Sequence, residues 1–70
     1  MYYAITTFGS PRPRQKSYYG SEAAALRDAR DMKGSGTCSC VRVYACETRN
    51  LATTADISEV REGERIVCSY

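Results

Sequence analysis

The segment from Gly9 to Ser21, GSPRPRQKSYYGS, constrains the fold of this 70-residue chain more than any other part of the sequence. Pro11 and Pro13 fix their φ angles and lack an N–H donor, which excludes the segment from a helix and from a central strand. It contains no acidic residue, and its basic and aromatic side chains are Arg12, Arg14, Lys16, Tyr18 and Tyr19. We therefore expect an exposed basic and aromatic loop, of the kind through which a small domain contacts a partner.

The residues around this loop predict a strand before it and a helix after it. Tyr2 to Phe8 is rich in β-forming residues and predicts a first strand, and Gln15 to Tyr19 is compatible with a short edge strand. Ser21 is a favourable N-cap for a helix from Glu22 to about Lys33. The run Gly34-Ser35-Gly36 predicts its end. One face of this helix is apolar, with Ala25, Leu26, Ala29 and Met32.

The second half of the chain predicts further strands. Alternation over Thr37 to Glu47 places Val41, Val43 and Ala45 on one face, and Cys40, Arg42, Tyr44 and Cys46 on the other. Arg65 to Tyr70 predicts a last strand. The turn residues Glu62-Gly63 predict a hairpin that pairs Ile57–Arg61 with Glu64–Val67. Residues 48 to 56 are compatible with a short helical turn or with a loop.

These elements predict a single α+β domain over residues 1–70, with one helix on one face of a small antiparallel sheet in the order β-α-β-β-β. We expect the helix to pack on Ile5, Val41, Val43 and Ile66. The other sheet face would stay open to solvent, as antiparallel sheets permit. Together with the loop, this face supplies the candidate partner-binding residues: Arg12, Arg14, Lys16, Tyr18, Tyr19, Tyr2, Arg42, Tyr44 and Arg65.

Sequence signatures of catalysis are scarce. The chain has no histidine, which removes the commonest general base and the usual activator of a nucleophile. It has no phosphate-binding glycine pattern, since Gly34-Ser35-Gly36 follows a helix whereas phosphate-binding glycines precede one. The carboxylates fall in predicted helix faces and turns, where solvation accounts for them. We expect no enzyme activity and no cofactor.

The four cysteines, Cys38, Cys40, Cys46 and Cys68, are predicted to be reduced thiols on one face of the sheet. The N-terminal sequence MYYAITTFG has no charged n-region or long apolar run, so we expect no signal peptide and a cytoplasmic location, where thiols stay reduced. A zinc site is an alternative, but structural sites usually take cysteine pairs on turns, whereas this C-x-C pair lies on a strand. A structural disulfide is the other alternative.

Charge favours a protein partner over a nucleic acid. The net charge of +2 is small, although residues 1–33 carry six basic and three acidic side chains and residues 34–70 carry four basic and five acidic. The chain has one phenylalanine and no tryptophan, so its core is small, and homodimerisation stays open on that ground. The simpler alternative for the basic loop is that its charges only keep it soluble.

The organisation of the chain resembles that of small phage-encoded anti-CRISPR proteins of the compact α+β type. Three stretches carry the resemblance: the initial strand YYAITTF, the alanine-rich helix SEAAALRDARDMK and the closing strand GERIVCSY. The resemblance implies a non-enzymatic protein that binds a CRISPR surveillance complex in the bacterial cytoplasm and blocks target recognition or nuclease recruitment.

A small nucleic-acid-binding module is the alternative function. In it, Arg12, Arg14 and Lys16 would contact phosphates while Tyr2 and Tyr44 stack on bases. A transcriptional accessory protein or antitoxin is a weaker candidate, because the sequence shows no helix-turn-helix.

Overall fold

A computed structural model describes residues 1–9, 15–17, 19–36, 38–56 and 58–70 as a four-stranded antiparallel sheet with a helix on each face. The strands are β1 (Tyr2–Phe8), β2 (Gln15–Ser17), β3 (Cys40–Cys46) and β4 (Glu64–Ser69), in the spatial order β2-β1-β3-β4. The helices are α1 (Glu22–Gly34) and α2 (Arg49–Thr53). The predicted small α+β fold with one main helix and an antiparallel sheet is confirmed.

Helix α1 begins and ends where its local signals predict. The Ser21 side chain accepts a hydrogen bond from the backbone N–H of Ala24 at 3.1 Å, which caps the first turn. At the other end Gly36 has a φ of 74°, a conformation that glycine adopts without steric cost. Ala25 and Ala29 are fully buried against three sheet residues, Ile5, Val41 and Val43.

The second sheet face is covered by α2, so the expectation of an open face is wrong. Ala52 of α2 and Ala55 after it pack on Ala4, Tyr44 and Cys46, which form a second buried cluster. Helix α2 has only five residues, too few for apolar periodicity to appear in the sequence. Contacts with distant parts of the chain stabilise it instead.

Side chains from other elements bond the carbonyl groups at the C-terminal end of α2. Gln15 and Ser17 of β2 both donate to the Ala52 carbonyl, at 2.9 and 3.0 Å. The Arg61 guanidinium donates to the carbonyls of Leu51 and Thr54, at 3.3 and 2.7 Å. Carbonyl groups at the end of a helix have few partners within it, so these side chains supply additional donors there. The Leu51 carbonyl also accepts from the Thr54 N–H at 3.2 Å.

Strand β4 differs from its prediction in partner and in register. The turn at Glu62-Gly63 is present, with the Glu64 N–H bonded to the Arg61 carbonyl at 3.0 Å, but residues 58–62 form no strand and β4 pairs with β3. A bulge opposite Val43 and Tyr44 shifts the register. As a result Val67 packs against the α1 core, whereas Ile66, expected there, is 41% exposed.

Arg61 and Glu64 form an ion pair that links the α2 end to the start of β4. Arg61 Nε lies 2.7 Å from Glu64 Oε1, and the Glu64 side chain is fully buried. The hydrogen bonds from Arg61 lower the pKa of the Glu64 carboxyl, and burial opposes this only in part. Since the folded pKa lies below the ordinary value, the stabilisation is present above the unfolded pKa and is lost as pH falls through the folded pKa.

We predict that Glu64→Gln lowers the free energy of unfolding by about 1–3 kcal/mol at neutral pH, because a buried charged hydrogen-bond partner of Arg61 is lost. The variant should also lose less stability than the wild type between neutral and acidic pH. Glu62→Gln is the control, because Glu62 is exposed in the adjacent turn and should change stability by less than about 0.5 kcal/mol. Urea unfolding at several pH values measures both effects, and equal stabilities of the two variants would contradict the role given to Glu64.

Candidate functional site

Three of the predicted binding residues, Arg12, Arg14 and Tyr18, lie outside the described residues. The structure fixes the chain on both sides of residues 10–14. Before them, the Phe8 carbonyl accepts a hydrogen bond from the Ser39 N–H at 2.9 Å. After them, Gln15 pairs with Thr6 across the β1–β2 ladder. The described residues on either side of the basic segment are therefore held by hydrogen bonds to the sheet and to Ser39.

Lys16 is exposed, as predicted, but it is also paired. Its Nζ lies 2.8 Å from Asp28 Oδ2 of α1, and the Tyr19 hydroxyl donates to the same oxygen. The Lys16 side chain remains 60% exposed, and its Nζ lies 5.8 Å from the centre of the Tyr19 ring. We call these three residues the Lys16–Tyr19–Asp28 cluster.

The pKa values in this cluster shift in the directions that its hydrogen bonds require. The hydrogen bond to Asp28 raises the pKa of Lys16, and the one from Lys16 lowers the pKa of Asp28. Burial, followed by the bond to Asp28, raises the pKa of Tyr19. At neutral pH the cluster is thus an ionised lysine, an ionised carboxylate and a neutral tyrosine.

Tyr44 is fully buried, and the interpretation of it as a partner-binding residue is wrong for the folded chain. Its hydroxyl donates to the Asp56 carbonyl at 2.5 Å and accepts from Arg42 Nη1 at 3.2 Å. The ring packs in the cluster beneath α2. The sequence suggested exposure only because α2 was not predicted to cover this face.

Arg42, Tyr2 and Arg65 do not form one patch. Arg42 is half-buried, with its guanidinium carbon 5.0 Å from the Phe8 ring centre and 6.0 Å from that of Tyr44. Tyr2 is 39% exposed on the same sheet face, at the opposite end of β1 from Phe8. Arg65 is exposed but pairs with Ala45, which faces α1, so it lies on the other side of the sheet.

Two binding candidates were missed by the sequence reasoning: Arg27 and Arg30, both exposed on α1. Their helical spacing relative to the buried Ala25 and Ala29 was the available signal, since it places them away from the sheet. Arg27 lies next to Asp28 in the sequence and its charge acts on that carboxylate, so it is near Lys16. Arg30 lies on the flank of α1 opposite to Asp28, where its charge acts on Tyr70. We call the surface of Lys16 and Arg27 the α1–β2 face.

Charge is uneven along the chain, but it does not separate the two layers of the fold. Residues 47–64, which contain α2 and the turn before β4, carry five acidic and two basic side chains. Helix α1 carries three basic and three acidic side chains: Arg27, Arg30 and Lys33, and Glu22, Asp28 and Asp31. Positive charge on the α1 side is therefore interspersed with carboxylates.

A small depression lies at the end of the sheet that is formed by the start of β1 and β4 and the end of β3. It has a volume of about 180 Å³ and is lined by Met1, Ala45, Glu47, Gly63, Glu64 and Arg65. Ligand pockets usually measure about 300–1,000 Å³, so this one is small for a cofactor or a metabolite. Of its two carboxylates, Glu47 is exposed and Glu64 is already bonded to Arg61.

All four cysteines are free thiols in the structure. The expectation that they share one face is wrong. Cys38 precedes β3 and packs with the α1 core, and the β4 bulge turns Cys68 to the same side as its partner Val43. Cys40 and Cys46 share the other face but lie about 20 Å apart by strand rise. Within the described residues, no three Cys, Asp or Glu side chains are placed to hold a metal ion.

No protein-family model, curated protein or solved structure matches this chain. The resemblance to anti-CRISPR proteins thus has only the organisation of the chain as its basis. In the part of the chain that the structure describes, neither helix has the length and apolar character needed to cross a membrane.

We predict that Tyr44→Phe destabilises the protein by about 1–2 kcal/mol, because it removes the hydroxyl that bonds both Asp56 and Arg42 in a buried site. Tyr2→Phe is the matched control, since Tyr2 is partly exposed and should change stability by less than about 0.5 kcal/mol. Thermal unfolding of both variants checks this. Equal melting temperatures would show that the Tyr44 hydroxyl does not stabilise the α2 layer.

We also predict that Cys46 is the slowest of the four thiols to react with iodoacetamide. Burial raises the pKa of Cys46 to about 11, which leaves little thiolate near neutral pH. The other three cysteines are only half-buried. Timed labelling at about pH 8, near the ordinary thiol pKa, followed by peptide mapping with mass spectrometry, measures the order of the four labelling rates. Labelling in denaturant should make the four rates similar. Fast labelling of Cys46 in the folded protein would contradict its placement under α2.

Proposed function

We propose that this protein is a non-enzymatic binding protein that inhibits a larger partner by covering an acidic protein surface with its α1–β2 face. The observation that carries the proposal is the placement of Lys16 and Arg27 on one exposed side. Opposite charges across an interface accelerate encounter and select the partner. The Lys16 side chain is 60% exposed and Arg27 is also exposed, so both charges can reach a partner.

Anchoring of the neighbouring basic segment supports the same proposal. Its C-terminal end enters β2, which is bonded to α2 through Gln15 and Ser17 and to α1 through Lys16. A segment whose ends are fixed loses less conformational entropy on binding than a free chain does. Arg12 and Arg14 are the residues of this segment that we expect to contact the partner.

A protein surface is a better partner than a nucleic acid because the proposed stacking pair of Tyr2 and Tyr44 is lost: Tyr44 is buried. The small net charge of +2 favours the same choice. As the specific partner we propose a bacterial CRISPR surveillance complex, on the basis of the organisation of the chain.

We predict that tagged protein captures a specific larger complex from bacterial lysate in a stoichiometric ratio. Arg27→Gln should weaken this binding about two- to fivefold, the usual effect of one exposed ion pair. Arg49→Gln is the matched control, since it removes one positive charge from an exposed helix position on the α2 side and should leave binding unchanged. The triple variant Arg12→Ala, Arg14→Ala, Lys16→Ala should lose most of the binding without a change of fold.

Quantitative mass spectrometry of the captured proteins, with melting temperatures of each variant, measures these outcomes. Equal effects of Arg27→Gln and Arg49→Gln would exclude the α1–β2 face as the binding surface. If the isolated protein instead bound free DNA or RNA with an affinity that falls steeply with salt, the nucleic-acid alternative would replace this proposal. If the captured complex lacked CRISPR proteins, the specific partner would be wrong but the binding function would stand.

A further inference from the structure

The Lys16–Tyr19–Asp28 cluster already holds a carboxylate on the α1–β2 face. Lys16 Nζ and the Tyr19 hydroxyl both bond to Asp28 Oδ2, so one oxygen receives a charged donor and a neutral one. Tyr19 packs against the α1 core, which fixes the position of its hydroxyl. The two donors therefore form a carboxylate-binding pair that this chain fills with its own residue.

We propose that Asp28 is an internal competitor, and that an acidic side chain of the partner takes its place on Lys16 when the complex forms. This inference rests on the proposed function, since it assumes an acidic protein partner for the α1–β2 face. It assigns Lys16 a role in partner selection, and it makes Asp28 the residue that limits the affinity.

The exposure of both charged groups makes the exchange feasible. The Lys16 side chain is 60% exposed and that of Asp28 is 32% exposed, so an incoming carboxylate reaches Lys16 without unfolding any element. Exposed ion pairs contribute little to stability, because water and salt screen them. A partner carboxylate in a drier interface can therefore compete with Asp28 for the same ammonium group.

Asp28→Asn tests the inference, with Asp31→Asn as its control. Both substitutions remove one negative charge from α1, but only Asp28 contacts Lys16, and Asp31 is exposed at the next turn. The amide oxygen that Asp28→Asn introduces can still accept the hydrogen bond from Tyr19, so the fold should be retained. We expect Asp28→Asn to bind poly-L-glutamate, the probe for an acidic protein surface, about two- to fivefold more tightly than Asp31→Asn at low salt.

Adding Lys16→Gln to Asp28→Asn should abolish this gain, because the released ammonium group is its source. Titration calorimetry gives the affinities, and NMR of the Lys16 side chain should show its pKa falling in Asp28→Asn only. Equal affinities of the two asparagine variants, or a gain that survives Lys16→Gln, would overturn the inference and leave the proposed function intact. Absence of binding by the wild type and by every variant would overturn both.

Discussion

The second layer of this protein depends on hydrogen bonds to the carbonyl groups that end α2. A five-residue helix does not persist alone in water, because too few of its backbone groups pair internally. Here Gln15, Ser17 and Arg61 supply the missing donors. The Tyr44 hydroxyl donates to the Asp56 carbonyl, in the segment that follows α2. Because these donors come from three separate parts of the chain, they fix α2 to the sheet as a unit.

The covering of the second sheet face by α2 matters because the apolar core is small. The largest fully buried side chains are Tyr44, Ile5, Val41, Val43 and Cys46, of which two lie beneath α2. Without that helix, Tyr44 and Cys46 would face water and the chain would bury one sheet face only. The ring of a buried tyrosine adds apolar area, and its hydroxyl needs a hydrogen-bond partner. Tyr44 therefore fills the space beneath α2 and, through its bond to the Asp56 carbonyl, fixes the segment after α2 against the sheet.

Local signals were sufficient for β1, α1 and β3, whereas non-local contacts decided α2 and the register of β4. The β-forming run Tyr2–Phe8 and the Ser21 cap lie within or beside the elements that they specify, so the sequence alone located both. Helix α2 depends on donors more than 30 residues away in β2, and no short window of the sequence contains both. The β4 bulge likewise depends on pairing with β3, which is why Ile66 was assigned to the wrong face. For the candidate site, exposure of Lys16 followed from the sequence, but its pairing with Asp28 required the packing of α1.

Strand β2 is bonded both to α2 on one side of the sheet and to α1 on the other, and it carries Lys16 of the candidate binding face. Its three residues alternate between faces, so Gln15 and Ser17 bond to α2 while Lys16 between them bonds to α1. A strand this short has few backbone hydrogen bonds, and side-chain contacts on both faces hold it in the sheet. The position of Lys16, and of the anchored end of the basic segment, thus depends on α2 packing on the opposite face. The proposed binding face on one side and the α2 layer of the core on the other are coupled through these three residues.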